Sequence, residues 1–197
     1  IECIPLIVDN SYLEKINSIL SNQVGCCKIE WDSRETSWDF LQNELIRINS
    51  NDASAGLSTS LEESYDLYQQ YWRNKFFQLH KNEEELNRQF IEIYGLQDEL
   101  TPNVPLEDIT ILKEETSIEN GQLVFHADEV FAQFMSYAVG CMFGRYSLDK
   151  EGLILANQGE TIEDYLNKIQ YSNSKFQNIS DLSFVPDADN IIPVLDE

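Results

Sequence analysis

The sequence predicts a mainly α-helical protein, a helical bundle or spacer with one long central helix and a minor short β-hairpin. Three observations carry that expectation. Apolar and aromatic residues between Tyr65 and Ile93 recur at spacings of three and four, the period of one helix face. Capping pairs stand before periodic runs at Ser11/Glu14, Ser60/Glu63 and Thr161/Asp164. Only two short runs, Ile109–Leu112 and Gln122–Phe125, have strand character.

Taken in order, the first helix follows Ser11, with Tyr12, Ile16, Ile19 and Leu20 on one face. Gly25 to Ile29 reads as a turn into a strand. A second helix is expected from near Thr36, carrying Trp38, Leu41, Leu45 and Ile48. Residues 51–60, within the polar run Asn49 to Ser60, read as a flexible linker between an N-terminal helical segment at 1–50 and a helical spacer region at 61–197. The long helix spans 61–94, opened by the Ser60/Glu63 box and stopped by Gly95. At about 1.5 Å per residue its ~30 residues make a rod of roughly 45 Å. Its stripe of Tyr65, Tyr68, Trp72, Phe76, Leu79, Leu86, Phe90 and Ile93 reads as core, broken at Glu83. Such a stripe cannot be buried by one helix, so it requires packing on other helices.

Pro102 and Pro105 exclude a continuous helix after Gly95. Ile109–Leu112 and Gln122–Phe125 then suggest a hairpin around Asn120-Gly121, although the connection exceeds two residues. A helix over 129–146, capped by Asp128, is apolar almost all round and reads as buried. Its Gly140 and Gly144 would let another backbone approach closely. A last helix covers Ile162 to Tyr171.

Composition narrows the functional classes. Thirteen basic residues face 35 acidic ones, for a net charge of −22, and no Lys or Arg follows Lys175. So acidic a surface repels phosphates over a Debye length of about 8 Å, which argues against a free-standing nucleic-acid-binding module. No apolar run approaches the roughly 20 residues of a membrane span, and no signal peptide is visible. Both chain ends read as cuts through a longer polypeptide. The four cysteines have no CxxC spacing and lie far from both histidines, so reduced buried thiols are the expectation and a metal site is not.

No catalytic residue is identified from spacing. None of the eight glycines forms an F-x-G-x-G-like loop for S-adenosylmethionine, and the five prolines include no Pro-Pro pair. The latter removes the Asn/Asp-Pro-Pro-aromatic signature with which adenine methyltransferases hold a flipped base. No lysine follows an acidic residue by two positions, and neither G-x-S-x-G nor a P-loop occurs.

Four phrases nevertheless stand out: Trp31-Asp-Ser-Arg-Glu-Thr-Ser-Trp-Asp-Phe40; Asn82–Asn87 leading into Ile93-Tyr-Gly-Leu to Pro102; Tyr137–Leu148; and Pro186 to Pro193. In that order they resemble the adenine-specific DNA methyltransferases of bacterial BREX phage-exclusion systems, within the broader class of restriction–modification methylases. The resemblance implies a large cytoplasmic enzyme that transfers a methyl group from S-adenosylmethionine to adenine N6. This chain would then be an internal or C-terminal-side piece holding no cofactor itself. Its implied partners are the parent's other domains, DNA through the parent, and defence-system proteins, with no membrane. Candidate DNA or partner contacts are Arg73, Lys75, Lys81 and Arg88, whose spread positions also read as a solvated helix face. Arg145 is a fifth, able to reach a phosphate or to satisfy a helix C-terminus. Trp31, Trp38 and Trp72 read as core or inter-domain packing. The competing reading is a stand-alone acidic protein that mimics DNA or docks on a defence enzyme.

Overall fold

Alternating three-four spacing, bounded by caps, produces most of the structure. The computed structural model describes residues 10–51, 60–172 and 182–186. Among them run α1 (Asn10–Asp32), α2 (Glu44–Asn51), α3 (Leu61–Tyr94), a single 3₁₀ turn (Leu106–Asp108), β1 (Thr116–Glu119), β2 (Gln122–Phe125), α4 (Ala127–Met142) and α5 (Ile162–Ser172). The described residues are mainly α, with one antiparallel hairpin among them. No helix among the described residues is long and apolar enough to cross a membrane. Cys3, the linker core at 52–59 and most of the Pro186 to Pro193 phrase lie outside the described residues.

Two compact units divide the chain, one drawn from Ile1–Glu30 with Asp66–His126, the other from Trp31–Tyr65 with Ala127–Glu197. In the first, α3 buries Tyr68, Trp72, Phe76, Leu79 and Leu86, as the stripe requires. The face then rotates: Phe90 is 46% exposed and Gln89 is buried in its place. Gln89 Nε2 donates to Glu85 Oε1 at 2.9 Å, which satisfies one end of the buried amide, while its Oε1 has no partner among the described residues. At the C-terminus Gly95 adopts φ +67°. Leu96 N–H reaches Ile91 O at 2.9 Å and Gly95 N–H reaches Glu92 O at 3.2 Å, a Schellman closure that only a left-handed residue permits.

The Asn82–Asn87 phrase fastens the chain beyond Gly95. Glu84 Oε1 accepts Val104 N–H at 3.3 Å, and Asn87 Nδ2 donates to Pro102 O at 3.3 Å. His80 Nε2 meets Val104 O at 2.7 Å. Glu85 takes Lys15 of α1 and Arg88 as partners, so the cation four residues beyond Glu84 pairs with its neighbour instead. Lys15 Nζ, and after it Gln89, hold the Glu85 carboxyl down to about 2.

Three expectations change here. α1 runs unbroken through Gly25, and no strand forms at 25–29. The partner of β2 is Thr116–Glu119 rather than Ile109–Leu112, in the register Glu119↔Gln122 to Thr116↔Phe125. That pairing leaves Asn120-Gly121 as a two-residue turn with φ of +52° and +74°, the geometry that suits the twist of a hairpin. Ile109, Ile111 and Leu112 are buried as core instead.

The second unit has a different construction. Ser60 and Glu63 exchange both capping bonds, at 2.9 and 3.1 Å, to start α3. Thr161 and Asp164 do the same for α5, at 2.8 and 3.4 Å. The expected helix from Thr36 is absent, and 33–43 is a series of turns before α2, whose start is capped by Asn43 Oδ1 accepting Leu45 N–H at 3.0 Å. The Ser37 hydroxyl donates to Asp32 Oδ1 at 2.8 Å and accepts Asp39 N–H at 3.2 Å. Local bonds of that kind compete with helical pairing and win here. Phe40, Tyr137, Cys141 and Tyr146 form one apolar cluster, with Ile46 against it. Ile154, Tyr165 and Ile169 form another.

α4 ends at Met142 and is buried on one face only. Val130, Tyr137, Gly140 and Cys141 are inside, whereas Met135 (61%), Val139, Met142 and Phe143 are exposed. Gly140 admits a side chain rather than a backbone, since a Cβ there would stand 2.6 Å from Tyr146 Cδ2. Gly144, at φ +74°, closes the helix: Arg145 N–H reaches Gly140 O at 2.8 Å and Gly144 N–H reaches Cys141 O at 3.0 Å.

Candidate functional site

The phrases Trp31–Phe40 and Tyr137–Leu148 come together in the second unit. They line a cleft of about 230 Å³ walled by Glu35, Thr36, Ser37, Trp38, Phe40, Arg145, Tyr146 and Leu153. Each wall has a local cause. The Ser37 turn throws Trp38 outward, leaving it 102% exposed, and turns Phe40 inward. The Gly144 closure delivers Arg145, and Arg145 O accepts Ile154 N–H at 2.8 Å, which fixes the backbone at the cleft mouth.

The floor is aromatic. Phe40 meets Tyr146 edge-on at 5.3 Å, and Tyr146 stacks on Tyr137 at 5.1 Å with 20° between the rings. Tyr137 OH donates to Ser147 O at 3.2 Å, and burial pushes its phenol far up. Tyr146 OH donates to Glu35 Oε2 at 3.3 Å, and burial followed by the Glu35 charge raises its pKa, with Arg145 opposing. The Arg145 guanidinium lies 5.5 Å from the Tyr146 ring centroid. Glu35 Oε1 is buried and has no hydrogen-bond partner among the described residues. An acceptor left unsatisfied costs about 1–3 kcal/mol of stability.

The other candidate cations lie on α3. Arg73 sits over the Phe125 ring at 5.4 Å and Lys75 over the Tyr71 ring at 5.6 Å. Lys81 is exposed, and Arg88 pairs with Glu85. These four are held by separate local partners or by none that gathers them, and no shared site forms around them. Trp72 is core, at 1% exposure, whereas Trp31 and Trp38 stand in the open. Sequence reasoning found Arg145 but missed Glu35 and Phe40 as its neighbours. The available signal was their membership of two family-like phrases, which periodicity alone cannot bring together.

Among the described residues no three His, Cys, Asp or Glu side chains gather as a metal-binding set. Cys26 and Cys141 are buried free thiols and Cys27 is half-buried. Burial raises the pKa of all three, so they are poor thiolate nucleophiles.

No protein-family model matches the chain. Among curated proteins it is 30% identical over 183 residues to the adenine-specific methyltransferase PglX of Lacticaseibacillus casei (strain Zhang), covering 93% of this chain and 13% of that protein. It is 29% identical over 199 residues to the adenine-specific methyltransferase BrxX of Escherichia coli O9:H4 (strain HS), covering 97% of this chain and 14% of that protein. The likeness read from the four phrases therefore holds across nearly the whole chain. Its length corresponds to about one seventh of these relatives.

Proposed function

We propose that the chain is a non-catalytic helical segment of a cytoplasmic, site-specific adenine-N6 DNA methyltransferase used in phage defence. Its role is to join the methylation domain to the elements that read DNA sequence. The observation that carries this reading is the match of 93–97% of the chain to only 13–14% of two adenine-specific methyltransferases. The absence from this sequence of a Gly-rich cofactor loop and of a Pro-Pro pair agrees with it. On this reading S-adenosylmethionine and the target base are held elsewhere in the longer enzyme, and this segment's partners are that enzyme's other domains.

Exposed apolar stripes support the connecting role. Met135, Val139 and Met142 follow one another along α4 at spacings of four and three. Leu13, Leu20 and Val24 line a face of α1 at spacings of seven and four. These are seams of the kind by which helices pack on further helices, and a segment embedded in a larger enzyme has such neighbours. Calorimetric titration of the purified chain with S-adenosylmethionine is expected to show no binding heat. Micromolar binding, or methyl transfer to an adenine-containing duplex by these residues alone, would overturn the reading.

A further inference from the structure

We infer that the outer edge of β1 is a docking site for an extended, basic segment of a partner protein, which adds a third strand and seats one aliphatic side chain in a neighbouring cavity. The register identifies the free main-chain groups. Asn120-Gly121 is a two-residue turn, so Glu119 and Gln122 exchange hydrogen bonds across the hairpin, as do Ser117 and Val124. His126 N–H reaches Glu115 O at 2.8 Å, which continues the alternation. Thr116 and Ile118 therefore direct N–H and C=O away from β2, about 6.8 Å apart along the strand. These outward groups have no hydrogen-bond partner among the described residues. An extended main chain offers donors and acceptors at that same repeat.

Beside that edge lies a cavity of about 210 Å³, bounded in part by Phe76, Ile109, Ile111, Lys113 and the run Thr116–Ile118. Phe76, Ile109 and Ile111 are buried and give it an apolar floor. Three consecutive strand residues line it although their side chains alternate between faces, so it follows the edge of β1 rather than one face. Alternate side chains of an added strand point to one side, and one of them meets this cavity. Charge selects the occupant. From Leu96 to His126 seven acidic residues stand against one cation, Lys113, whose Nζ donates to Glu107 O at 2.6 Å. Glu107 lines the cavity and Glu119 ends β1, both exposed. A second copy would bring the same acidic surface onto itself at a net −22 each, whereas Lys or Arg flanking the aliphatic residue answers it.

The test uses the whole chain and a capped hexapeptide that alternates lysine with isoleucine, with its glutamate counterpart as control. Amide resonances and amide hydrogen exchange are followed by NMR during the titration. Saturable binding of the lysine peptide is expected to slow exchange at Thr116 and Ile118. Ser117 and Glu119, whose amides already bond to β2, should change little. Ile118→Pro removes an outward N–H and no ladder bond, and should weaken binding about fivefold, the size of one net main-chain hydrogen bond. Glu119→Lys, at an exposed position, should weaken it roughly threefold and reads the charge even where the proline disturbs the hairpin. Unchanged exchange at Thr116 and Ile118 with millimolar lysine peptide overturns the proposal. So does equal binding of the glutamate peptide, or binding that ignores both substitutions. Protection of those two amides that rises with protein concentration, without peptide, assigns the edge to a second copy and overturns it equally. The proposal stands apart from the methyltransferase reading, and none of these results alters the S-adenosylmethionine titration.

Discussion

The two units use their family-like phrases for opposite ends. In the unit drawn from Ile1–Glu30 and Asp66–His126, the phrase Asn82–Asn87 is spent on holding the fold. Glu84 and Asn87 tie down Pro102 to Val104, and Glu85 ties α3 to Lys15. In the other unit, the phrases Trp31–Phe40 and Tyr137–Leu148 bury Phe40, Tyr137 and Tyr146 and leave Trp38 exposed at an open cleft. Packing accounts for the first set of residues. It does not account for Trp38, which stands in the open at the rim of the cleft, and that exposed ring separates the second unit from the first.

Truncating the two tryptophans gives the widest contrast. Trp72 is 1% exposed on the buried face of α3. Trp72→Ala removes a large core side chain and leaves a cavity, for an expected loss of about 3–5 kcal/mol in urea unfolding. A loss below about 1 kcal/mol would mean that α3 is not the centre of its unit.

A smaller effect tests the aromatic floor of the other unit. Gly140→Ala places a methyl group 2.6 Å from Tyr146 Cδ2 and 2.9 Å from Tyr146 Cε2. The ring cannot yield freely, because Phe40 and Tyr137 pack on it. Overpacking costs about 1–3 kcal/mol, while the better helix former returns up to about 1, so a net loss of about 1–2 kcal/mol is expected. A stabilised variant would show that Tyr146 has room to shift and that the cleft floor is soft.

Much of the fold was legible because caps and periodicity are local. The Ser60/Glu63 box, Gly95, the Asn120-Gly121 turn and the Thr161/Asp164 box all stand where the sequence places them. The illegible parts depended on competition or on distance. Ser37 diverted 33–43 from helix into turns through its bonds to Asp32 and Asp39, although the apolar spacing there is helical. Thr116–Glu119 displaced the more apolar Ile109–Leu112 as the partner of β2, because a two-residue turn sets the register. Glu35 and Tyr146 are 111 residues apart, and no periodicity reports their contact.

Ion pairing provides a subtler probe of the scaffold unit. The Glu85 carboxyl is held at about 2, below its usual 4.5, chiefly by Lys15. A depressed carboxylate stabilises the fold above its unfolded value, and the contribution fades as pH falls from about 4.5 to about 2. The pair is partly solvated, so Lys15→Ala should cost less than about 1 kcal/mol at pH 7. The difference from wild type should shrink as unfolding is repeated at lower pH across that window. A gap of constant size would show that Lys15 acts by packing rather than by charge.

The smallest effect is the most telling for the cleft. Trp38 is 102% exposed, so Trp38→Ala removes no packed surface, and unfolding should shift by no more than about 0.5 kcal/mol. A large aromatic held in water by the Ser37 turn loses apolar burial that a polar residue would never have offered. The bonds that create the turn come from Ser37, Asp32 and the Asp39 N–H, none of which needs an indole beside it. Near-zero destabilisation, beside the large loss at Trp72, therefore places the value of this tryptophan in what it meets rather than in what it holds. A loss comparable to that at Trp72 would instead make Trp38 a folding residue and remove the reason to look for a ligand at its face.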